Sequence, residues 1–211
     1  MISPIFTTVV IGFLAVMLYM KATTNRFNTG DERLIEEESR ANSVRKKSLD
    51  ELEYITVPYD ELPFESAGDD EQLKQDEDDI LKLRDSKIVN FTGISNTELK
   101  ATYGAPNLTK LTEYDQNFTE LVRALDSWGE HLIGHSMKAE ARKVLEFAVE
   151  CRTDLKSTYL NLADIYVENF EFDKIDHIMD IAGELNTIMK EPILRALKEK
   201  CDINKYVEQK K

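Results

Sequence analysis

From Phe118 onward the apolar positions recur at three- and four-residue steps, the spacing that puts one face of a helix against a core. The stretch "WGEHLIGHSMKAEARKVLEFA", Trp128 to Ala148, reads as helix, turn at Gly134 and Ser136, and second helix. "EPILRALKEKCDINKYVEQKK" opens a further helix with Pro192 at a start position. Upstream, "GDDEQLKQDEDDILKLRDSKI" predicts a short acidic helix marked by Leu73, Ile80, Leu81 and Leu83. In "SNTELKATYG" Ser95 or Asn96 caps a helix, Glu98 completes a capping box, and Gly104 ends it. "APNLTKLTEYD" reads as a loop opened by Pro106.

The N-terminus has a different pattern. Ile2 to Met20 carries no charge over 19 residues. As a helix this run is about 28 Å long at ~1.5 Å per residue, enough to span a bilayer core of ~30 Å. A cleaved signal peptide is the competing reading. It calls for a basic start and a small-x-small cleavage site, and the sequence has neither. Residues 1–21 therefore read as an uncleaved transmembrane anchor. Seven Lys or Arg lie between Lys21 and Lys47, which places the C-terminal bulk in the cytoplasm. Three glycosylation triplets begin at Asn90, Asn107 and Asn117; they matter only in a secretory lumen and are read as chance.

Residues 22–86 read as a charged, acidic tether. The window Asp50–Asp79 holds 13 acidic residues and one Lys, nearly the whole of the net charge of −13. Such a window is a solvated, self-repelling linker or bait for a basic partner. Within it "YITVPYDELPF" sets Tyr54, Ile55, Val57, Tyr59 and Phe64 around two prolines that forbid a regular helix. This strip either docks on its own domain or serves as a short motif for a partner. "DERLIEEESRANSVRKKSLDELE" has acids first and bases later, the order of a solvated helix.

Self-comparison at an offset of 34 residues aligns Leu125 with Tyr159, Trp128 with Leu162, and Gly129 with Ala163. It also aligns Leu132 with Tyr166, Ala141 with Ile175, Leu145 with Met179, and Ala148 with Ala182. The small pairs allow close helix approach. These columns, best kept in "YLNLADIYVENFEFDKIDHIMDIA", resemble the tetratricopeptide repeat (TPR). Copy one departs at Trp128 and Leu132, copy two at Ile175, and Thr153 and Thr187 stand where the family closes with Pro. The expected fold is all-α: TPR-like hairpins, a fragment of an α-solenoid, over residues 87–211. The repeats cover about 122–155 and 156–189. A capping helix follows at about 192–208, with Ile193, Ala196 and Leu197 in the same columns. The helix at Asn96–Tyr103, with Leu108 and Leu111, is expected to cover the upstream end. The resemblance implies a peptide groove on the first helices, lined by Arg123, Asp126, Glu130, Ile133, Leu160, Asp164, Val167 and Glu168. That surface is mixed acidic and apolar and suits a partly apolar, basic partner.

Chemistry is thinly represented. His131 and His135 lie one turn apart, but Leu132 stands where a zinc protease has its Glu, and Leu132 is a core column. The two histidines read as passengers on the helix, His135 near its C-terminus, where a cation is welcome. Cys151 and Cys201 are too few for a disulfide framework; a bridge between them needs an oxidising compartment. No phosphate loop or nucleophile elbow is present, no cofactor is implied, and a pI near 4.8 argues against nucleic acid. The expectation is a non-enzymatic, single-span membrane protein that binds a protein or peptide. The alternatives are a lumenal, chaperone-like accessory subunit of a membrane complex and, more remotely, a metal-dependent enzyme using His131 and His135.

Overall fold

The computed structural model describes residues 4–66 and 68–208; for 4–10, 22–32 and 202–208 it describes only the course of the helix. All regular structure among the described residues is helical. The helices are α1 (Pro4–Asn42), α2 (Glu71–Leu81), α3 (Asn96–Tyr103), α4 (Leu108–Gly134), α5 (Lys138–Glu150), α6 (Lys156–Glu168), α7 (Phe172–Gly183) and α8 (Lys190–Glu208). They fall into two compact units: Met1–Ser48 with Ser95–Leu108, and Leu49–Ile94 with Thr109–Lys211.

In the first unit α3 packs on α1. Ser95 and Glu98 form the capping box in full, and Gly104 ends the helix as its pattern predicts. Thr97 and Lys100 of α3 both hold the Glu38 carboxylate of α1, and Leu99 and Ala41 are buried. After α1 the chain runs back along α3's end: the Lys47 N–H donates to the Tyr103 carbonyl and the Ala105 N–H to that of Val44. Gly104 sits at φ +93°, where a Cβ would lie 2.2 Å from the Arg45 carbonyl oxygen, so only glycine lets the two segments meet. Asn107, fully buried, donates its amide to the carbonyls of Lys47 and Tyr103. Part of the predicted anchor, residues 1–10, lies outside the described side chains. Among the described residues no helix is long and apolar enough to cross a membrane. Ile11 to Met20 nevertheless form an apolar helix surface, with Phe13 64% and Leu18 68% exposed.

The second unit holds the repeats. α5 packs on α6 and α7, α6 on α7 and α8, and α7 on α8. The columns predicted at 34-residue spacing are buried, apart from Met179, which is half-buried. Trp128, Leu132, Leu145, Ala148, Leu162 and Ala182 have no exposed surface, and neither do Ile193 and Leu197 of α8. The turns recur as well. Ser136 and Phe170 both adopt left-handed backbone, at φ +63° and +59°. Met137 donates back to the Leu132 carbonyl, as Glu171 does to that of Tyr166. Thr153 and Thr187, standing where a Pro was expected, make matching turns. The hydroxyl of each accepts the N–H two residues on, from Leu155 at 3.2 Å and Met189 at 3.3 Å.

Three expectations are corrected. "APNLTKLTEYD" is not a loop: Ala105–Asn107 form one 3₁₀ turn and α4 starts at Leu108. Leu111, Tyr114 and Phe118 are buried at helical spacing, which outweighs the loop-like signal of Pro106, a residue that fits a first turn. The tether does not extend to 86: from Leu49 the chain belongs to the repeat-bearing unit. And the residues that lie against the first hairpin come from Leu49–Ile94, whereas α3, expected there, packs on α1.

Part of the acidic window is folded because three of its acids, Asp70, Asp76 and Glu77, are bonded within the unit. Leu73, Asp76, Glu77 and Ile80 share one face of α2 at i, i+3, i+4 and i+7, and all four are buried. Asp70 caps the helix through the N–H groups of Gln72 and Leu73. Glu77 accepts from the Glu65 N–H and the Ser66 hydroxyl. The strip 54–64 lies on the core beside it. Val57 and Leu62 are buried, Ile55 and Tyr59 are half-buried, and the Phe64 ring stands 5.1 Å from that of Trp128. Downstream, Asn90 donates to the carbonyls of Cys151 and Arg152 in the α5–α6 loop. Asn186, in the α7–α8 loop, donates to Gly93. This segment therefore touches equivalent loops of successive hairpins, Asn90 on the first and Gly93 on the second.

Candidate partner-binding surface

α4 and α6, the first helices of the two hairpins, present the predicted groove residues. Arg123, Glu130, Asp164 and Glu168 are exposed; Asp126, Ile133, Leu160 and Val167 are half-buried. Ile133, Leu160 and Val167 pack on the core edge and give the surface an apolar floor. The acids are largely engaged within the protein. Asp126 accepts from the hydroxyls of Ser157 and Thr158 at 2.6 Å each, tying α4 to α6. Asp164 pairs with Lys200 of α8, and Glu168 with Lys138 of α5 at 2.6 Å. Glu130 and Arg123 remain the charged groups turned outward. The surface is therefore less acidic than its sequence suggests, because its carboxylates brace neighbouring helices.

The two histidines are not passengers. The Nδ1 atom of His131 lies 2.5 Å from an Asp76 oxygen, and the Ser127 hydroxyl donates to the other oxygen at 2.8 Å. His135 sets Nε2 3.0 Å from Asp70 and Nδ1 2.9 Å from the His131 carbonyl. Both ring nitrogens of His135 thus face oxygen acceptors, which only the doubly protonated imidazolium satisfies. That carbonyl, followed by the Asp70 charge, moves His135 above its ordinary pKa. Asp70 is held below the carboxylate range, chiefly by the Leu73 N–H that it caps. The pair fastens α2 to the first hairpin. Among the described residues no group of three His, Cys, Asp or Glu could hold a metal ion.

Sequence reasoning missed Asp70, Asp76 and Glu77. Asp76 and Glu77 occupy the core-facing positions between Leu73 and Ile80, but the partners that receive them lie outside α2. Cys151 and Cys201 are both buried and form no disulfide, and burial pushes the Cys151 thiol up to about 12. The amides of Asn90, Asn107 and Asn117 all donate to backbone carbonyls, so none of the three triplets offers a free side chain.

No family model matches the chain, and neither a curated protein nor a solved structure matches it.

Proposed function

We propose that this chain is a single-span membrane protein displaying a TPR-like helical domain that recruits or organises other proteins and catalyses no reaction. One observation carries the reading: burial and turn geometry both recur at 34 residues from α4 to α8. A chance period in a plain bundle has no reason to repeat the left-handed residue at Ser136 and Phe170, or the threonine turn at Thr153 and Thr187. Repeats of this kind offer their first helices to a partner, here the surface of Arg123, Glu130, Ile133, Leu160 and Val167. The anchor reading rests on the uncharged run Ile2–Met20, on the exposed apolar side chains of Ile11 to Met20, and on Lys21 at its edge. The basic residues from Lys21 to Lys47 support a cytoplasmic position for the domain.

Proximity labelling from the C-terminus of the anchored chain tests this. A reproducible set of proteins is expected, and it is expected to be lost with Trp128→Ala, which opens the first hairpin. Identical labelling by both chains would reduce the set to bystanders and contradict the proposal.

A further inference from the structure

A second face of the repeats is built differently from the first. α5 carries Glu146 and Glu150 one turn apart, and both line two adjoining hollows. One, about 450 Å³, lies between α5 and the docked strip at Pro58–Leu62, with Phe147 on its wall. The other, about 350 Å³, lies between α5 and α7, floored by Leu162 and Val149 and walled by Ile178 and Ile181. Phe147 and Ile181 are half-buried and pack on the core edge.

The charge of this face is unbalanced. Asp60, Glu61, Glu146, Glu150 and Asp173 supply five carboxylates. Lys143 and Lys174 are the cations, with His177 beside them. Glu146 is already held by Arg142 at 2.9 Å and by the Tyr166 hydroxyl at 2.7 Å. Among the described residues, none of Asp60, Glu61, Glu150 and Asp173 is in an ion pair. The contrast with the first-helix surface is direct, since there Asp164 and Glu168 are paired. Unpaired acids around an apolar floor match a ligand that brings both cations and aliphatic groups.

We propose that the α5 face docks a basic amphipathic segment of a partner protein. Its Lys or Arg side chains meet Glu150, Asp173, Asp60 and Glu61, and its aliphatic side chains enter the two hollows against Phe147 and Ile181. An amphipathic helix lays its apolar face into such a groove and sets its cations along the edge. The proposal rests on the reading of this chain as an interaction module and names the chemistry of its partner.

The test uses the full chain in zwitterionic nanodiscs, with empty nanodiscs subtracted. The probe is a fluorescein-labelled helical peptide of Leu and Lys, and the control is the same peptide with Glu for Lys. Anisotropy is expected to show binding of the basic peptide alone. The double change Glu150→Lys with Asp173→Lys weakens it about tenfold, as exposed attractions become repulsions. Glu130→Lys, on the first-helix surface, leaves it within about twofold. Both variants change exposed residues, and an unchanged thermal melt confirms their fold. Absence of binding, equal binding of the acidic peptide, or equal weakening by Glu130→Lys overturns the proposal. The last outcome keeps the interaction module and moves its partner to the other face.

Discussion

Gly129 gives the sharpest stability test of the repeat packing. It is buried in α4, and a Cβ built on it would lie 2.4 Å from Leu145 Cδ2 and 2.7 Å from Cγ. Leu145 has no exposed surface, so its side chain has nowhere to swing. Gly129→Ala gains about 1 kcal/mol of helix propensity. It also overpacks the core, which costs about 1–3 kcal/mol. With a branch atom struck as well as a methyl group, the upper part of that range applies, and the net effect is destabilisation by about 1–2 kcal/mol. In a Leu145→Ala background the clash disappears and only the propensity gain remains, so the same substitution stabilises by about 1 kcal/mol. Urea unfolding of the full chain in detergent, followed by the fluorescence of Trp128, the chain's one tryptophan, measures all four corners of the cycle. A change of sign is the expected result. Equal stabilisation in both backgrounds would refute the claim that α4 and α5 meet through a missing side chain. The second repeat answers the same constraint differently: Ala163 fills the Gly129 column, where the Leu145 column carries the unbranched Met179.

Three further outcomes are expected. Thr153→Val removes the buried hydroxyl that accepts the Leu155 N–H and costs about 1 kcal/mol in the same unfolding assay, while Thr153→Ser costs less. The hold on α2 depends on pH. His135 has its pKa raised above 6.5, so its contribution is full below that value and lost as pH rises through the raised one. Asp70 has its pKa lowered from 3.8, so its contribution is full above that value and lost only as pH falls through the lowered one. Hydrogen exchange, corrected for intrinsic rates, should therefore show α2 best protected at mildly acidic pH and less so at alkaline pH, and His135→Gln should flatten the dependence. Finally, the thiol of Cys151, raised to about 12, should resist a disulfide reagent at pH about 8 in the folded chain and react promptly in urea.

The repeat was legible because it rests on local physics: period, small-residue columns and turn positions each leave a mark in sequence. Capping was equally legible at Ser95, Glu98 and Gly104. What was not legible depended on distant partners. Asp76 is buried because Ser127 and His131 receive it, and nothing within α2 announces them. The start of α4 was hidden by Pro106 and Asn107, residues that serve a loop and a helix entry equally. At the candidate surface, residue type placed the acids but could not show which of them already hold a neighbour. Asp126 is engaged by Ser157 and Thr158, 31 and 32 residues away in sequence, whereas Glu150 is in no ion pair among the described residues.

The most direct test of the proposed interaction role is site-specific photo-cross-linking of the full chain in the cells that make it. A photoreactive residue at Glu130 samples the first-helix surface, one at Glu150 samples the α5 face, and one at the buried Leu162 is the control. Discrete cross-linked proteins are expected from an exposed position and none from Leu162. Products from Glu130 alone would remove the α5 docking site while preserving the interaction module. Silence from both exposed positions would contradict the account.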